Sequence, residues 1–122
     1  MYLNPTSHFK NTFEIIQGLF NLSQEYKKIG LTHKSSISLI KAIRIDKNII
    51  SLYINLASNL VAMEKNNLAM VIIDRGLKID SENILLLNNK ANILEKHGHI
   101  KLSIKIFKKI IQREPNYFIA LF

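Results

Sequence analysis

The chain has 122 residues and combines a hydrophobic share of 48% with only two prolines, four glycines and no cysteine. This composition excludes a disordered or collagen-like chain, and the scarcity of helix-breaking residues favours helices. The absence of cysteine removes disulfides and thiolate chemistry. No signal-peptide pattern opens the sequence, and no apolar run approaches the roughly 18 residues that span a membrane. We expect one cytoplasmic domain without a membrane segment.

The formal net charge of +8 raises the question of nucleic-acid binding, because clustered Lys and Arg displace counterions from phosphates. Arginine, the usual residue for bidentate contacts to phosphate or guanine, occurs only at Arg44, Arg75 and Arg113. Ile, Asn and Lys are abundant together, which is typical of an AT-rich coding sequence. The positive charge is therefore only a weak indication of nucleic-acid binding.

The first predicted helix runs from about Thr12 to Lys28. Asn11 followed by Glu14 is typical of a helix start, and residues 1–10 lack helical periodicity. The turn KKIGLTH follows, with Gly30 in the usual place for a left-handed residue at a helix end. A second helix then completes a helix-turn-helix pair.

Two further pairs follow. YINLASNL, which starts at Tyr53, belongs to the first helix of the second pair, and the turn EKNN separates it from the next helix. In the third pair the turn KHGH places Gly98 at a helix end. The last helix carries one apolar stripe, formed by Ile100, Ile104, Phe107 and Ile111.

Another helix is predicted to start at Pro115, where the missing N–H is harmless. The apolar residues that follow, within NYFIALF, have three interpretations. Residues 118–122 begin a fourth unit of a longer array, form a truncated cap, or pair with another copy of the chain. The last interpretation predicts self-association through this apolar end.

A spacing of 34 residues aligns the three pairs in columns. The columns are an asparagine column (Asn21, Asn55, Asn89), two small-residue columns (Ser23, Ala57, Ala91 and Ser35, Ala69, Ser103), a large apolar column (Leu39, Ile73, Phe107) and an acidic column (Asp46, Asp80, Glu114). Small residues at the centres of helices allow close approach, and the large residues fill the flanks. The columns therefore predict an all-α stack of repeated helix pairs.

These columns resemble the tetratricopeptide repeat. The second unit supplies the family's pattern as Tyr53, Leu56, Ala57, Leu60, Ala69 and Ile73, while Ser81 stands where proline is expected. The resemblance implies a right-handed α-α superhelix, or solenoid, of three units at about 16–49, 50–83 and 84–117, in a single array over residues 1–122. It also implies that the first helices line a concave groove, which holds a peptide or a partner's helix.

A polar stripe runs along each first helix, on a face separate from the packing positions Leu19, Leu22 and Tyr26. Its members are Asn21, Gln24 and Lys28 in the first unit, Asn55 and Ser58 in the second, and Asn89, Asn92 and Lys96 in the third. We predict that this stripe binds peptide.

The asparagine column resembles the ladder in the repeats of protein O-linked N-acetylglucosamine transferases. That resemblance implies that Asn21, Asn55 and Asn89 hold the backbone of an extended peptide, and a carboxamide offers the donor and acceptor that a peptide unit needs. The alternative is that the asparagines are helix-surface residues or connect neighbouring units.

Another groove chemistry is the carboxylate clamp, which some chaperone-binding repeats use on an acidic C-terminus. Phe20 and Leu85 stand where the clamp needs lysines, and Gln24 and Asn89 where it needs asparagine and arginine. Only Asn55 fits, which argues against the clamp. Lys28 and Lys96 still favour an acidic peptide as partner.

No catalytic pattern is found. His97 and His99 lie in a turn without a carboxylate at a metal-ligand spacing, and the acidic column places one carboxylate in each unit rather than a pair. There is no glycine-rich phosphate loop. We expect a non-catalytic scaffold for protein-protein interaction without metal or cofactor. The alternatives are the substrate-recruiting part of a larger enzyme, such as a glycosyltransferase, and an RNA-binding helical repeat.

Overall fold

The computed structural model describes residues 5–113, and the side chains of residues 11–113. In that range the chain forms three antiparallel helix pairs: α1 (Pro5–Lys28) with α2 (Thr32–Ile45), α3 (Ile50–Ala62) with α4 (Asn66–Ile79), and α5 (Ile84–Lys96) with α6 (Ile100–Arg113). No strand occurs in these residues, so the all-α prediction is confirmed. None of the described helices has both the length and the apolarity needed to cross a membrane.

Helix α1 begins at Pro5, so the predicted start near Thr12 was wrong. Proline is favourable at the first helical position because its φ is preset and its missing N–H would be unpaired there in any case. Once a helix has begun, each further residue adds a hydrogen bond at little cost, whereas a new start is unfavourable. Asn11 and Glu14 therefore lie inside the helix rather than capping it.

The turns within the three pairs share one geometry. Gly30 and Gly98 have φ of +82° and +86°, as predicted, and Glu64 takes the equivalent place with φ of +60°. In each turn the N–H of the next residue donates to a carbonyl five residues earlier, as from Lys65 to Leu60 at 2.8 Å. This bond and its inner partner satisfy carbonyls at the helix end. The turn is thus conserved in geometry across the repeats, although the middle one lacks glycine.

The small residues of the two columns lie at the centres of the helix contacts. Ser23, Ala57, Ala91, Ser35, Ala69 and Ser103 each expose 3% or less of their surface. Leu39 and Ile73, from the large apolar column, are fully buried beside them. The structure therefore supports close packing as the reason for these columns, since any bulk there would separate the helices.

One face of each first helix packs against the preceding unit. On α3 this face carries Leu52, Leu56 and Asn59, all 1% exposed, and Asn59 donates to Ser35 on α2. Leu22 holds the same place on α1 as Leu56 on α3, yet it is 43% exposed. Its prediction as a core residue was wrong, because no described helix precedes α1 to cover it.

The last helix is also less covered than predicted. Ile100, Ile104 and Ile111 each expose more than two-fifths of their surface, while Ile110 is buried and Phe107 is half-buried. Helix α6 packs mainly against α5, and no described helix follows it. The predicted fourth unit and the predicted self-association involve residues 118–122, outside the described part of the chain.

The acidic column closes the turns between units. The carboxylates of Asp46 and Asp80 accept hydrogen bonds from the backbone N–H groups of Asn48 and Glu82, at 2.9 and 3.3 Å. Such turns satisfy backbone donors just after a helix end. These two carboxylates therefore have a structural role. Glu114, the third member, lies outside the described residues.

Candidate functional site

Two adjoining depressions lie along the first helices of the second and third units. The upper depression, about 270 Å³, lies between α3 and α5 and is lined by Ile54, Asn55, Ser58, Leu85, Asn88 and Asn89. The lower depression, about 250 Å³, is lined by Val61, Asn89, Asn92, Ile93, Glu95 and Lys96. Because Asn89 lines both, the two form one continuous surface.

The side chain of Asn55 already makes hydrogen bonds within the protein. Its Oδ1 accepts from Nε2 of Gln24 on α1 at 3.1 Å, and its Nδ2 donates to the backbone carbonyl of Ser51 at 2.8 Å. The first of these bonds joins two units, which matches the alternative interpretation of the asparagine column. A carboxamide has two N–H donors and two acceptor lone pairs, so Asn55 keeps half of its capacity for a ligand.

The amides of the third unit are different. Within the described part of the chain, the side chains of Asn88, Asn89 and Asn92 make no hydrogen bond to protein. Asn89 is half-buried between the two depressions, while Asn92 is exposed at the rim of the lower one. A half-buried carboxamide without a protein partner can bind a polar ligand without first breaking an internal bond. Asn89 therefore has the most favourable position of the asparagine column.

Some of the other predicted residues lie at the depressions and some do not. Ser58 lines the upper depression, Lys96 lines the lower one, and Gln24 is held beside them through Asn55. Asn21 is exposed and accepts a hydrogen bond from Gln17 at 3.1 Å. Lys28 pairs with Glu25 at 3.1 Å, with both side chains largely exposed. Neither Asn21 nor Lys28 lines a depression described here.

Leu85 and Asn88 line the upper depression, although neither was predicted as a site residue. Leu85 is 61% exposed at the edge of the upper depression, one helical turn before Asn89. Extending the polar stripe backwards by four residues leads to this position. Asn88 lies four residues before Asn92, so the same backward extension leads to it as well. The surface therefore offers an exposed leucine beside its amides.

The surface formed by the two depressions has few features suited to metal binding or to charge-based chemistry. In the described part of the chain, no group of three or more His, Cys, Asp or Glu side chains is arranged to hold a metal ion. His97 and His99 are both exposed in their turn. Lys96 and Glu95 lie side by side in the lower depression and offset each other's charge. The surface is thus suited to hydrogen bonding and apolar contact rather than to acid-base work.

Comparison with known families identifies the repeat. The family model described as Tetratricopeptide repeat matches residues 16–49 and 85–117, more than half of the chain. The protein therefore belongs to the tetratricopeptide repeat family. Between the two matched segments, α3 and α4 form a helix pair of the same kind. The specific likeness to O-linked N-acetylglucosamine transferase repeats stays a prediction.

Solved structures share the fold at low identity. A crystal structure of MamA is 16% identical, covers 98% of this chain and 80% of that one, and has a TM-score of 0.77. The first TPR of Spaghetti (RPAP3), bound to HSP90 peptide SRMEEVD, is 16% identical over 84% of this chain and 82% of that one, at a TM-score of 0.78. The Arabidopsis OM64 TPR domain is 16% identical over 86% of this chain and 87% of that one, at a TM-score of 0.79.

These likenesses confirm the predicted solenoid of tetratricopeptide repeats. No curated protein sequence matches the chain. Because unrelated functions share folds at such low identity, the neighbours establish the architecture and leave the ligand to be argued from the site.

Proposed function

We propose that the protein is a non-catalytic interaction scaffold that binds an extended segment of a partner protein along α3 and α5. The observation that carries this proposal is the position of Asn89, which lines both depressions with a carboxamide that has no partner among the described residues. The family fold supports the class of function, since the RPAP3 repeats have been solved with a bound peptide.

The chemistry of the surface matches an extended backbone. A carboxamide donates to a peptide carbonyl and accepts from a peptide N–H, so Asn89 and Asn55 can each pair with one peptide unit. Ile54 and Val61 add apolar contact at the floors of the two depressions, and Leu85 adds it at the edge. Contacts to the backbone carry little sequence information. We therefore expect broad sequence tolerance, with a preference for apolar side chains beside Leu85.

The recognition differs from that of a carboxylate clamp. Leu85 and Phe20 occupy the places of clamp lysines, so these two positions provide no cation to bind a terminal carboxylate. The acidic preference predicted from Lys28 and Lys96 is weakened, because Lys28 pairs with Glu25 and Lys96 lies beside Glu95. We expect the peptide SRMEEVD to bind no better with a free C-terminus than with an amidated one, as measured by fluorescence anisotropy.

The experiment begins with selection of peptides from a displayed library on the intact protein. The best peptide is then titrated against wild type, Asn89→Ala and the control Asn67→Ala, which removes an exposed asparagine of α4. Loss of two net hydrogen bonds predicts about tenfold weaker binding for Asn89→Ala and unchanged binding for the control. Circular dichroism should show the same melting for all three proteins.

The backbone contact has its own test. Replacing single amides of the selected peptide by esters removes one N–H at a time and leaves the side chains intact. One ester should weaken binding to wild type and have no further effect on Asn89→Ala, because the two changes remove the same bond. Equal losses for wild type and variant would exclude backbone recognition by Asn89. Binding of RNA that falls steeply with salt would instead support the nucleic-acid alternative.

A further inference from the structure

A third surface lies apart from the two depressions. The α4/α6 groove, about 600 Å³, runs between the second helices of the second and third units, and it is lined by Leu77, Ser81, Leu87, Ile106 and the lysines 90, 105, 108 and 109, with Gln112. It shares no lining residue with the depressions. Its walls are apolar side chains and its rim is basic.

The preceding unit shows what fits in such a place. Tyr53, 34 residues before Leu87, is 5% exposed, and its hydroxyl donates to the backbone carbonyl of Lys47 at 2.7 Å. Ser81 stands one repeat after Lys47. Leu87 has neither the outer part of a ring nor a hydroxyl to offer the Ser81 carbonyl. The third unit therefore lacks the aromatic group that the second unit provides for itself.

The charge of the groove also differs between units. The three α6 lysines Lys105, Lys108 and Lys109 replace Val71, Asp74 and Arg75 of α4, so three positive charges stand where the formal charges cancel. The other rim lysine, Lys90, is paired with Asp74 at 2.8 Å. Within the described part of the chain no carboxylate lies at ion-pair distance from the three α6 lysines. Their charge is available to an acidic partner.

We propose that the α4/α6 groove binds a tyrosine side chain carried by an acidic segment of a partner protein. The ring lies against Leu77, Leu87 and Ile106, and its hydroxyl donates to the Ser81 carbonyl as Tyr53 does to Lys47. Carboxylates on either side of the tyrosine pair with the α6 lysines. This site is independent of the peptide surface on α3 and α5.

The probe is a blocked pentapeptide of sequence EDYED, titrated into the isotopically labelled protein by NMR. We expect the largest amide and methyl shifts at Leu77, Leu87 and Ile106. Peptides with alanine or phenylalanine in place of tyrosine report on the ring and the hydroxyl. Alanine should weaken binding at least about tenfold and phenylalanine about threefold, from the lost apolar area and one lost hydrogen bond.

Two protein variants test the groove itself. Leu87→Tyr lets the chain fill its own groove and should weaken EDYED binding about tenfold or more while keeping the fold. Lys105→Glu with Lys109→Glu should abolish binding, because the reversed charges repel the carboxylates of the peptide. Both side chains are exposed, so their reversal leaves the core unchanged. The control of equal charge change is Lys41→Glu with Lys101→Glu, exposed residues outside the groove, which should bind about as wild type does.

Several results would overturn the proposal. Equal affinity of the alanine peptide, or unchanged affinity of Leu87→Tyr, would show that no aromatic group enters the groove. Contacts in the free protein between Leu87 methyls and another aromatic ring of the same chain would mean that the chain covers the site itself. A molecular mass equal to that of a dimer, measured without peptide, would mean that a second copy of the chain covers it. Asn89→Ala should leave EDYED binding unchanged, which separates this proposal from the previous one.

Discussion

At the scale of single residues, the contact between the first two units contains one buried amide. Asn59 is 1% exposed, and its Nδ2 donates to Oγ of Ser35 at 2.9 Å. Its Oδ1 is buried without a hydrogen-bond partner among the described residues. One repeat later the same two places hold Ile93 and Ala69, which are apolar and buried. The first interface thus contains a partly satisfied polar pair where the second is apolar.

This pair gives a prediction about stability. Ser35→Ala should lower the free energy of unfolding by about 1 to 2 kcal/mol, because it leaves the whole Asn59 amide buried and unpaired. Adding Asn59→Ile to Ser35→Ala copies the second interface and should restore stability to at least that of wild type. Urea unfolding of Ser35→Ala, Asn59→Ile and the double variant measures the coupling between the two side chains. Additive losses would show that the two side chains act independently.

Sequence reasoning could predict some of these residues and not others. The small columns and the left-handed glycines at positions 30 and 98 follow from the 34-residue spacing, because one backbone geometry recurs. Asn59 gave no signal, since its column holds Glu25 and Ile93 and its polarity suggested an exposed side chain. Glu64 was equally hidden, because EKNN contains no glycine although the turn needs a positive φ. In both places the tertiary context overrides the residue's usual preference.

At the scale of helices, two glycines distinguish open from crowded positions. A Cβ added at Gly18 of α1 meets nothing within 4 Å. A Cβ at Gly76 of α4 would come within 2.6 Å of Leu86 Cδ1 and 3.2 Å of Tyr53 Cβ. Gly76 therefore lets α5 approach α4, whereas Gly18 only weakens its helix. Both residues lie inside helices, so alanine offers each the same gain in helix propensity.

The matched pair Gly18→Ala and Gly76→Ala tests this difference. We expect Gly18→Ala to raise the free energy of unfolding by about 1 kcal/mol. Gly76→Ala should fall short of that value by at least about 1 kcal/mol, because crowding of Leu86 and Tyr53 offsets the propensity gain. Thermal and urea unfolding of both variants provides the comparison. An equal gain at both sites would mean that α4 and α5 separate without cost.

The helices were more predictable than their ends and their exposure. Apolar spacing and the turns KKIGLTH, EKNN and KHGH were sufficient to predict the helix pairs, because each pair repeats the same local pattern. The start of α1 was mispredicted, since Asn11 and Glu14 resemble a cap wherever they stand. The depressions between α3 and α5 depend on how adjacent units pack. Periodicity along one helix cannot show that Asn89 lines both of them.

At the scale of the whole molecule, the structure is a stack in which each helix contacts its neighbours along the chain. The contacts join α1 to α2, α2 to α3 and so on to α6, with α3 also touching α5. Stability of such an array is a sum of unit terms and nearest-neighbour interface terms. The same residue type should therefore matter differently according to whether a unit precedes it.

Lysine substitutions at the equivalent leucines test this expectation. Leu22 on α1 is 43% exposed, so Leu22→Lys should change the free energy of unfolding by no more than about 0.5 kcal/mol. Leu56 on α3 is 1% exposed, and Leu56→Lys should cost at least about 3 kcal/mol because it buries a charge without a partner. Equal losses at the two sites, measured by urea unfolding, would contradict the nearest-neighbour description.

The third unit supplies the rescue for this variant. Its equivalent of Leu56 is Lys90, which pairs with Asp74 of α4 at 2.8 Å, and the equivalent of Asp74 in the first unit is Ile40. Ile40→Asp added to Leu56→Lys should recover at least half of the lost stability, because it gives the new cation the partner that Lys90 has. Ile37→Asp, also on α2 and 40% exposed as Ile40 is, provides the control and should recover little. Recovery with Ile40→Asp alone would show that interface chemistry can be exchanged between units, since neighbouring units meet in the same geometry throughout the stack.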